Sequence, residues 1–217
     1  MATMTDPQAA RRGRPPRIDR ATILAAARGI PVGDLSMAEL ARALDVTPAA
    51  LYHYFPNRDA VYDALAADLL DGVAVPDLDL PWARFLEALA HNLRARLLES
   101  AWTVELTGRT QPISAGLRLV DRCLQVLIGA GFEPRTAMRA TQVLVRFTTM
   151  AAVLEATAQA DRQQATLVAL SQSDPDAVAT IVDHLDTIGP LDADAEFGSQ
   201  LACVLAGIAT LAPPETT

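Results

Sequence analysis

The stretch from Ser36 to Phe55 constrains the fold of this chain more than any other part of the sequence. Its apolar positions have the spacing of two short helices packed across a tight turn: Met37, Leu40, Ala41, Leu44, Val46, Leu51 and either Tyr54 or Phe55. Ser36 is the expected N-cap of the first helix, and Glu39 completes a capping box with it. Thr47 and Pro48 are the expected N-cap and first residue of the second helix. The pattern predicts a helix-turn-helix.

The turn between these helices departs from the usual pattern at one position. Asp45 stands where such turns commonly have glycine. Aspartate enters the left-handed backbone region more readily than most residues, so we expect the turn to form. The second helix must end before Pro56, which cannot continue it. The alternative to a DNA-reading motif is an ordinary helical hairpin.

Charge is unevenly distributed along the chain. The net charge is -8, which argues against a general affinity for nucleic acid. Residues 1–62 nevertheless hold eight arginines against six acidic residues, a net of +2, so residues 63–217 carry -10. A basic front end on an acidic body fits one small DNA-reading module attached to a second domain.

The N-terminal residues 1–17 are polar, proline-rich and dense in arginine. Because they have little to bury, we expect them to form a disordered basic arm. Arg14 and Arg17 have the chemistry of a segment laid along phosphates or into a minor groove. The alternative is a tail that only solubilises the chain. The first helix then begins at its expected N-cap, Asp19.

The chain resembles the tetracycline repressor family of transcriptional regulators in four successive features. These are a capped first helix, the helix-turn-helix, the segment LYHYFPNRDAVYDALA and an all-helical acidic remainder. The tyrosine-rich second helix followed by F-x-N-[KR] is among the most specific stretches of that family, and the similarity covers roughly residues 18–68. A softer similarity to the subgroup with a tetracycline-repressor-like C-terminal domain includes the Thr110–Pro112 turn, Gly131–Phe132 and Glu155.

The resemblance implies an all-α fold with two parts beyond the arm. A three-helix helix-turn-helix DNA-binding domain is expected at 18–62, and a helical ligand-binding and dimerisation domain at 63–217. The expected DNA-contacting residues are Arg14, Arg17, Ser36, Thr47, Pro48, Ala49, Ala50, Tyr52, His53, Tyr54 and Arg58. Tyr54 has an equally strong alternative in core packing, because it is the last apolar position of the motif.

The apolar pattern of the second domain predicts long helices separated by short breaks. Four of them are expected at roughly 82–99, 113–128 (with Ile113, Leu117, Val120, Leu124 and Leu127 facing inward), 134–157 and 195–211. The last two are apolar on nearly every side and therefore need partners on every side. They could dock on their copies as a four-helix homodimer, or be buried within a monomer. A homodimer would present two recognition helices to a palindromic double-stranded DNA operator.

The resemblance also implies a small-molecule inducer inside the second domain. Tetracycline-binding members hold a magnesium–drug complex with two histidines, an asparagine and a glutamate. Those positions fall here at Ala74, Thr107 and Leu89, with only Glu155 retained, which argues against that ligand. The candidate lining residues for an unidentified inducer are Leu89, Asn92, Arg96, Trp102, Leu106, Arg146, Thr149 and Glu155.

Arg146 is a charged residue within the most apolar helix of the sequence. An unpaired buried charge is expensive, so three arrangements are open. The side chain pairs with an acid, reaches the surface, or meets an anionic ligand.

Other protein classes receive little support from the sequence. There is no nucleophile elbow, phosphate loop or HExxH motif, so we expect no enzyme activity, cofactor or metal site. Cys123 and Cys203 have no paired spacing. The longest apolar run, Leu201 to Ala212, is shorter than the roughly 20 residues that span a bilayer, and we expect a cytoplasmic protein with no membrane partner.

A ligand-responsive DNA-binding repressor is the function that the sequence favours. Two alternatives share its fold. One is a small-molecule sensor or carrier with a vestigial helix-turn-helix, and the other is an activator on the same scaffold.

Overall fold

The computed structural model describes residues 18–107, 116–157, 168–184 and 192–213. Within these ranges every regular element is a helix, which confirms the all-α prediction. The chain divides into two compact units, Met1–Val61 and Tyr62–Thr217. The arm predicted at 1–17 lies outside the described residues, so its disorder stays a prediction.

Ten α-helices have bounds that the structure defines. They are α1 (Arg20–Arg28), α2 (Met37–Ala43), α3 (Pro48–Tyr52), α4 (Arg58–Asp71), α5 (Trp82–Leu98), α6 (Thr103–Thr107), α7 (Leu117–Gly129), α8 (Pro134–Ala156), α9 (Pro175–Asp183) and α10 (Ala193–Ala209). A short 3₁₀ turn lies at Val32–Asp34, and residues 168–172 are also helical. No helix in the described ranges is both long and apolar enough to span a bilayer.

The three predicted helix starts of the first unit are confirmed by their caps. The Asp19 carboxylate accepts a hydrogen bond from the amide of Thr22 at 2.8 Å. The Ser36 hydroxyl accepts from the amide of Glu39 at 3.1 Å. The Thr47 hydroxyl accepts from the amide of Ala50 at 3.3 Å, and Pro48 is the first helical residue. Local capping chemistry therefore sets where each helix begins.

The reciprocal half of the predicted capping box is absent. The Glu39 carboxylate accepts hydrogen bonds from the Arg42 guanidinium, with its Nε at 3.0 Å. A charge-assisted pair one turn along the helix takes the place of the bond to the Ser36 amide.

The turn after α2 has the backbone conformation predicted for it. Asp45 has a φ of 51°, a left-handed value that no other non-glycine residue in the described ranges adopts. Val46 then donates its amide to the Ala41 carbonyl at 3.0 Å, closing the turn. The core beneath consists of fully buried side chains, among them Ile23, Ala27, Leu35, Leu40, Leu51 and Phe55. Phe55, and not Tyr54, is therefore the buried aromatic residue of the motif.

In the second unit, α5 and α8 pack against each other and against α7 and α10. The predicted apolar face of α5 is buried as a continuous stripe: Phe85, Leu86, Leu89, Leu93 and Leu97. Helix α8 buries a face of small and apolar residues, including Ala137, Ala140, Leu144 and Ala152. Small residues on α8 let the two helices lie close together.

The predicted inward face of α7 is correct at Leu127 and wrong at Leu117, which is exposed; Val120 and Leu124 are only half-buried, and Ile113 lies outside the described residues. The other buried residues are Leu119, Cys123 and Val126. Because the apolar side of α7 is broader than its contact with α8, periodicity alone does not identify which of its apolar residues are buried. Burial raises the pKa of the Cys123 thiol to about 12, so this thiol stays protonated.

Candidate DNA-reading surface and ligand-domain site

Helix α3 presents its predicted DNA-contacting side chains on its outer side. Leu51 is fully buried, whereas Tyr52 is 52% exposed. The other predicted contacts that lie on the surface are Ser36, Thr47, Pro48, Ala49, His53 and Arg58, with Ala50 half-buried. One buried residue thus anchors the helix while its neighbours remain accessible, as a groove-reading helix requires. Arg14 and Arg17 lie outside the described residues.

Tyr54 has a packing role that was one of its two predicted alternatives. Its hydroxyl donates to the carbonyl of Ile18 at 2.6 Å, and its side chain is half-buried. This bond fixes the residues that follow α3 against the start of α1. Phosphate contact by Tyr54 stays a prediction.

Arg20 supports this surface from α1, and sequence reasoning missed it. Its guanidinium donates to the Tyr54 carbonyl at 2.6 Å and lies 4.1 Å over the centre of the Phe55 ring. Arg20 therefore braces the end of α3 from α1 by a hydrogen bond and a cation–π contact. From the sequence, Arg20 is recognisable only as a residue in the first turn of α1. Its partner Tyr54 is 34 residues away, so the local pattern does not reveal the contact.

Three of the predicted ligand-lining residues belong to the core of the second unit. Leu89, Trp102 and Leu106 are all buried. The Trp102 ring meets the Tyr62 ring edge-on, with centroids 5.6 Å apart. Any ligand contact from these side chains would be apolar or aromatic.

Asn92 and Arg96 lie together, where they hold the segment after α4. The Asn92 amide donates to the Ala74 carbonyl at 2.9 Å. The Arg96 guanidinium passes over Gly72, where a Cβ would lie 2.8 Å from its Nε.

Arg118 of α7 donates to the carbonyls of Asp71 and Val73, at 2.6 and 3.1 Å. Arg118 had not been predicted, because a helix-surface arginine gives no sign of a backbone partner.

Arg96 retains an unused donor in this arrangement. Its Nε is buried and makes no hydrogen bond, while its Nη1 lies 3.5 Å from Glu99. Among the predicted ligand residues, Asn92 and Arg96 therefore have polar side-chain groups at the same segment, the one that follows α4.

Arg146 lies on the exposed side of α8, and Thr149 is half-buried. Of the three arrangements open for Arg146, the structure shows the surface position. The same exposed side carries Val143 and Met150, so this part of α8 has apolar residues outside its buried face as well, as the sequence predicts.

The buried charge of this unit is Arg94, which sequence reasoning missed. It is 7% exposed, and its Nε and Nη2 donate to the two carboxylate oxygens of Glu155 at 2.8 and 2.9 Å. Its Nη1 donates to Asp194 at 2.7 Å. Glu155, the retained family glutamate, is thus engaged at both oxygens by a fixed cation.

A groove of about 250 Å³ lies beside this ion pair, between α8 and α10. Its lining comprises Ala151, Leu154, Glu155, Ala193, Glu196, Phe197 and Gln200. Glu155 is the one predicted ligand residue among them. Asn92 and Arg96 are not part of this lining, and their polar groups lie at Ala74 and Gly72.

Comparison with known proteins gives matches along most of the chain. The family of bacterial regulatory proteins named tetR matches residues 18–65, and the tetracyclin repressor-like C-terminal domain matches residues 75–212. The class A tetracycline repressor protein from transposon 1721 of Escherichia coli is 30% identical over 184 residues, covering 83% of each chain. The class C tetracycline repressor protein of Escherichia coli is 28% identical over 177 residues, covering 80% of this chain and 81% of the relative.

Two solved structures from Streptomyces coelicolor have the same fold. The tetR family protein ActR, crystallised in complex with (S)-DNPA, superposes with a TM-score of 0.79 at 24% identity, over 91% of this chain and all of that one. A possible tetR family transcriptional regulator superposes with a TM-score of 0.73 at 28% identity, over 88% of this chain and 99% of that one. The chain therefore belongs to the tetracycline repressor family, the ligand-responsive DNA-binding regulators of bacterial transcription.

Proposed function

We propose that this chain is a homodimeric cytoplasmic repressor, released from a palindromic operator by a small molecule. The observation that carries the proposal is the surface of α3. Tyr52 and His53 project from a helix whose inner residue, Leu51, is fully buried, and Arg58 is exposed at the start of the next helix. Tyrosine and arginine side chains there can donate to phosphates, while His53 can donate to base edges.

An apolar stripe on α8 supports the homodimer. Val143, Met150 and Leu154 are each about half exposed, and Phe147 lies half-buried between them. The spacing of four, three and four residues places all four on one face of the helix. Helix α10 exposes small residues such as Ala202 and Ala206. A second copy of this chain would cover these faces and bring two recognition helices together.

The engaged state of Glu155 supports an inducer that is not a magnesium chelate. A divalent cation prefers carboxylate oxygens that are free to coordinate it. Both oxygens of Glu155 accept hydrogen bonds from Arg94, whose charge would also repel a metal ion. We therefore propose a metal-free ligand. Tetracycline with Mg²⁺ should leave the melting temperature unchanged, whereas it should raise that of the class A repressor run as the control.

DNA binding is tested with a duplex from the region upstream of the chain's own gene. Titration at several salt concentrations should give a log K that falls linearly with log salt. Arg58→Ala should weaken binding and lower the magnitude of that slope by about 2 per dimer, one phosphate contact for each copy. Tyr52→Ala should weaken binding with a smaller change in slope, because a hydroxyl carries no charge.

Arg84→Ala is the matched control for these substitutions. Arg84 is an exposed arginine on α5 that pairs with Glu87 at 2.8 Å. Its removal should leave the DNA affinity unchanged. Should Tyr52→Ala and Arg58→Ala bind the duplex as tightly as the unaltered chain, α3 is not the reading helix. A chain that binds small molecules and no DNA would be a carrier with a vestigial helix-turn-helix.

A further inference from the structure

Arg94 lies where α5, α8 and α10 meet, and it is the buried charged side chain of the described residues. Its fork holds Glu155 of α8 through two hydrogen bonds, and its remaining Nη1 holds Asp194 of α10. These partners lie 61 and 100 residues away in sequence. One side chain of α5 therefore binds both of the helices that carry the proposed dimer faces.

The flat side of the Arg94 guanidinium makes a third contact. It lies 4.8 Å over the centre of the Phe197 ring of α10. Phe197 in turn stacks on Phe147 of α8, with centroids 5.5 Å apart and planes 16° from parallel. Phe147 belongs to the apolar stripe of α8 described above. The position of that stripe relative to α10 therefore depends on a ring that Arg94 holds.

We propose that Arg94 is a positioning residue for dimerisation, which sets α10 against α8 so that the two faces present one surface to a second copy. The proposal rests on the proposed homodimer. Guanidinium is suited to this role because it binds a carboxylate through two parallel hydrogen bonds and stacks on an aromatic ring at the same time.

A purely stabilising ion pair would behave differently. Replacing both members of a buried pair by apolar residues of similar volume often leaves stability unchanged or raises it. A positioning role depends on three contacts of Arg94 together: the two hydrogen bonds to Glu155, the hydrogen bond to Asp194 and the stacking on the Phe197 ring. When Arg94 and Glu155 are replaced together, we therefore expect the free energy of unfolding to recover while dimerisation stays weakened.

Sedimentation equilibrium of the full chain measures the dimer dissociation constant, and urea unfolding measures stability. Arg94→Met should weaken the dimer at least tenfold while the far-ultraviolet spectrum stays helical. The double variant Arg94→Met with Glu155→Leu should recover the urea midpoint of the unaltered chain and keep the weakened dimer. Asp194→Asn should weaken the dimer less than threefold, because the amide oxygen can still accept the hydrogen bond from Arg94 Nη1 and the lost charge is largely exposed.

Glu87→Gln is the matched control, since it removes an exposed pair from the same helix. It should leave the dimer unchanged. Arg94→Met with a dissociation constant within threefold of the unaltered chain overturns the positioning role. So does a double variant that recovers dimerisation together with stability. An unaltered chain that stays monomeric at every concentration overturns the homodimer itself, before any substitution is compared.

Discussion

The Glu133 carboxylate caps α8 and makes that cap sensitive to pH. It accepts a hydrogen bond from the Thr136 amide at 3.0 Å, and backbone hydrogen bonding from Arg135 and then Thr136 holds its pKa below the ordinary value. The charged form is therefore favoured in the folded chain. Its stabilisation is present above the unfolded pKa and is lost as the pH falls through the lower folded pKa.

We expect Glu133→Gln to lower the melting temperature at pH 6 to 7 and to make little difference near pH 3. The neutral amide lacks the charge that favours the helix N-terminus. Thermal unfolding followed by circular dichroism between pH 3 and 7 checks this. Glu87→Gln is the control, and a melting difference at Glu133 that persists unchanged at pH 3 would contradict the assigned cause.

Single residues were predictable where their partners are close in sequence. The caps at Asp19, Ser36 and Thr47 involve amides three residues away, so the local pattern contains the whole interaction. The left-handed Asp45 follows from the turn spacing in the same way. Arg94 and Arg20 were missed because nothing near them in the sequence indicates their partners.

At the scale of elements, the segment after α4 is held by side chains from two other helices. Arg118 of α7 donates to two carbonyls there, while Asn92 and Arg96 approach from α5. A cation at the C-terminal end of a helix satisfies carbonyls that have no partner within the helix. These contacts fix where α4 ends within the second unit.

Arg118→Ala should lower the free energy of unfolding by about 1–2 kcal/mol, because hydrogen bonds from a charged donor are lost at a partly exposed site. Urea unfolding measures the change. Arg122→Ala is the control on the same helix, since Arg122 bonds only one turn along, to Gln125. Equal urea midpoints for the two variants would show that the carbonyl contacts contribute nothing.

Helix positions were predictable from the sequence, and helix faces only in part. The start of α8 at Pro134 and the buried stripe of α5 agree with the pattern. The face of α7 agrees only at Leu127, because its apolar side also carries the exposed residues Leu117 and Ile128. Hydrophobic periodicity identifies the apolar side of a helix, and on α7 that side is broader than the part that is buried.

At the scale of the whole molecule, the proposed homodimer imposes a geometry on its operator. Two recognition helices related by a two-fold axis read half-sites separated by about one helical turn, 10–10.5 base pairs. The candidate ligand residues give no such constraint, since Asn92 and Arg96 do not line the groove beside Glu155. Sequence resemblance identified those positions, but only the fold shows which partners they have.

Inserting five base pairs between the half-sites should reduce affinity to that of a single half-site, because it turns one half-site to the opposite side of the duplex. Fluorescence anisotropy with the natural, expanded and single half-site duplexes measures the three affinities. Equal affinity for the natural and expanded duplexes would contradict simultaneous binding by two copies.

The hydrogen bond from Tyr54 to the Ile18 carbonyl has a consequence for the arginines upstream. It ties the root of the N-terminal segment to the end of the recognition helix. Arg17 then lies one residue from this tether and Arg14 four residues from it. A chain of four residues reaches at most about 14 Å. In the proposed DNA complex we therefore expect both arginines to contact only duplex close to the groove that α3 reads, so that their contribution to affinity depends on that helix.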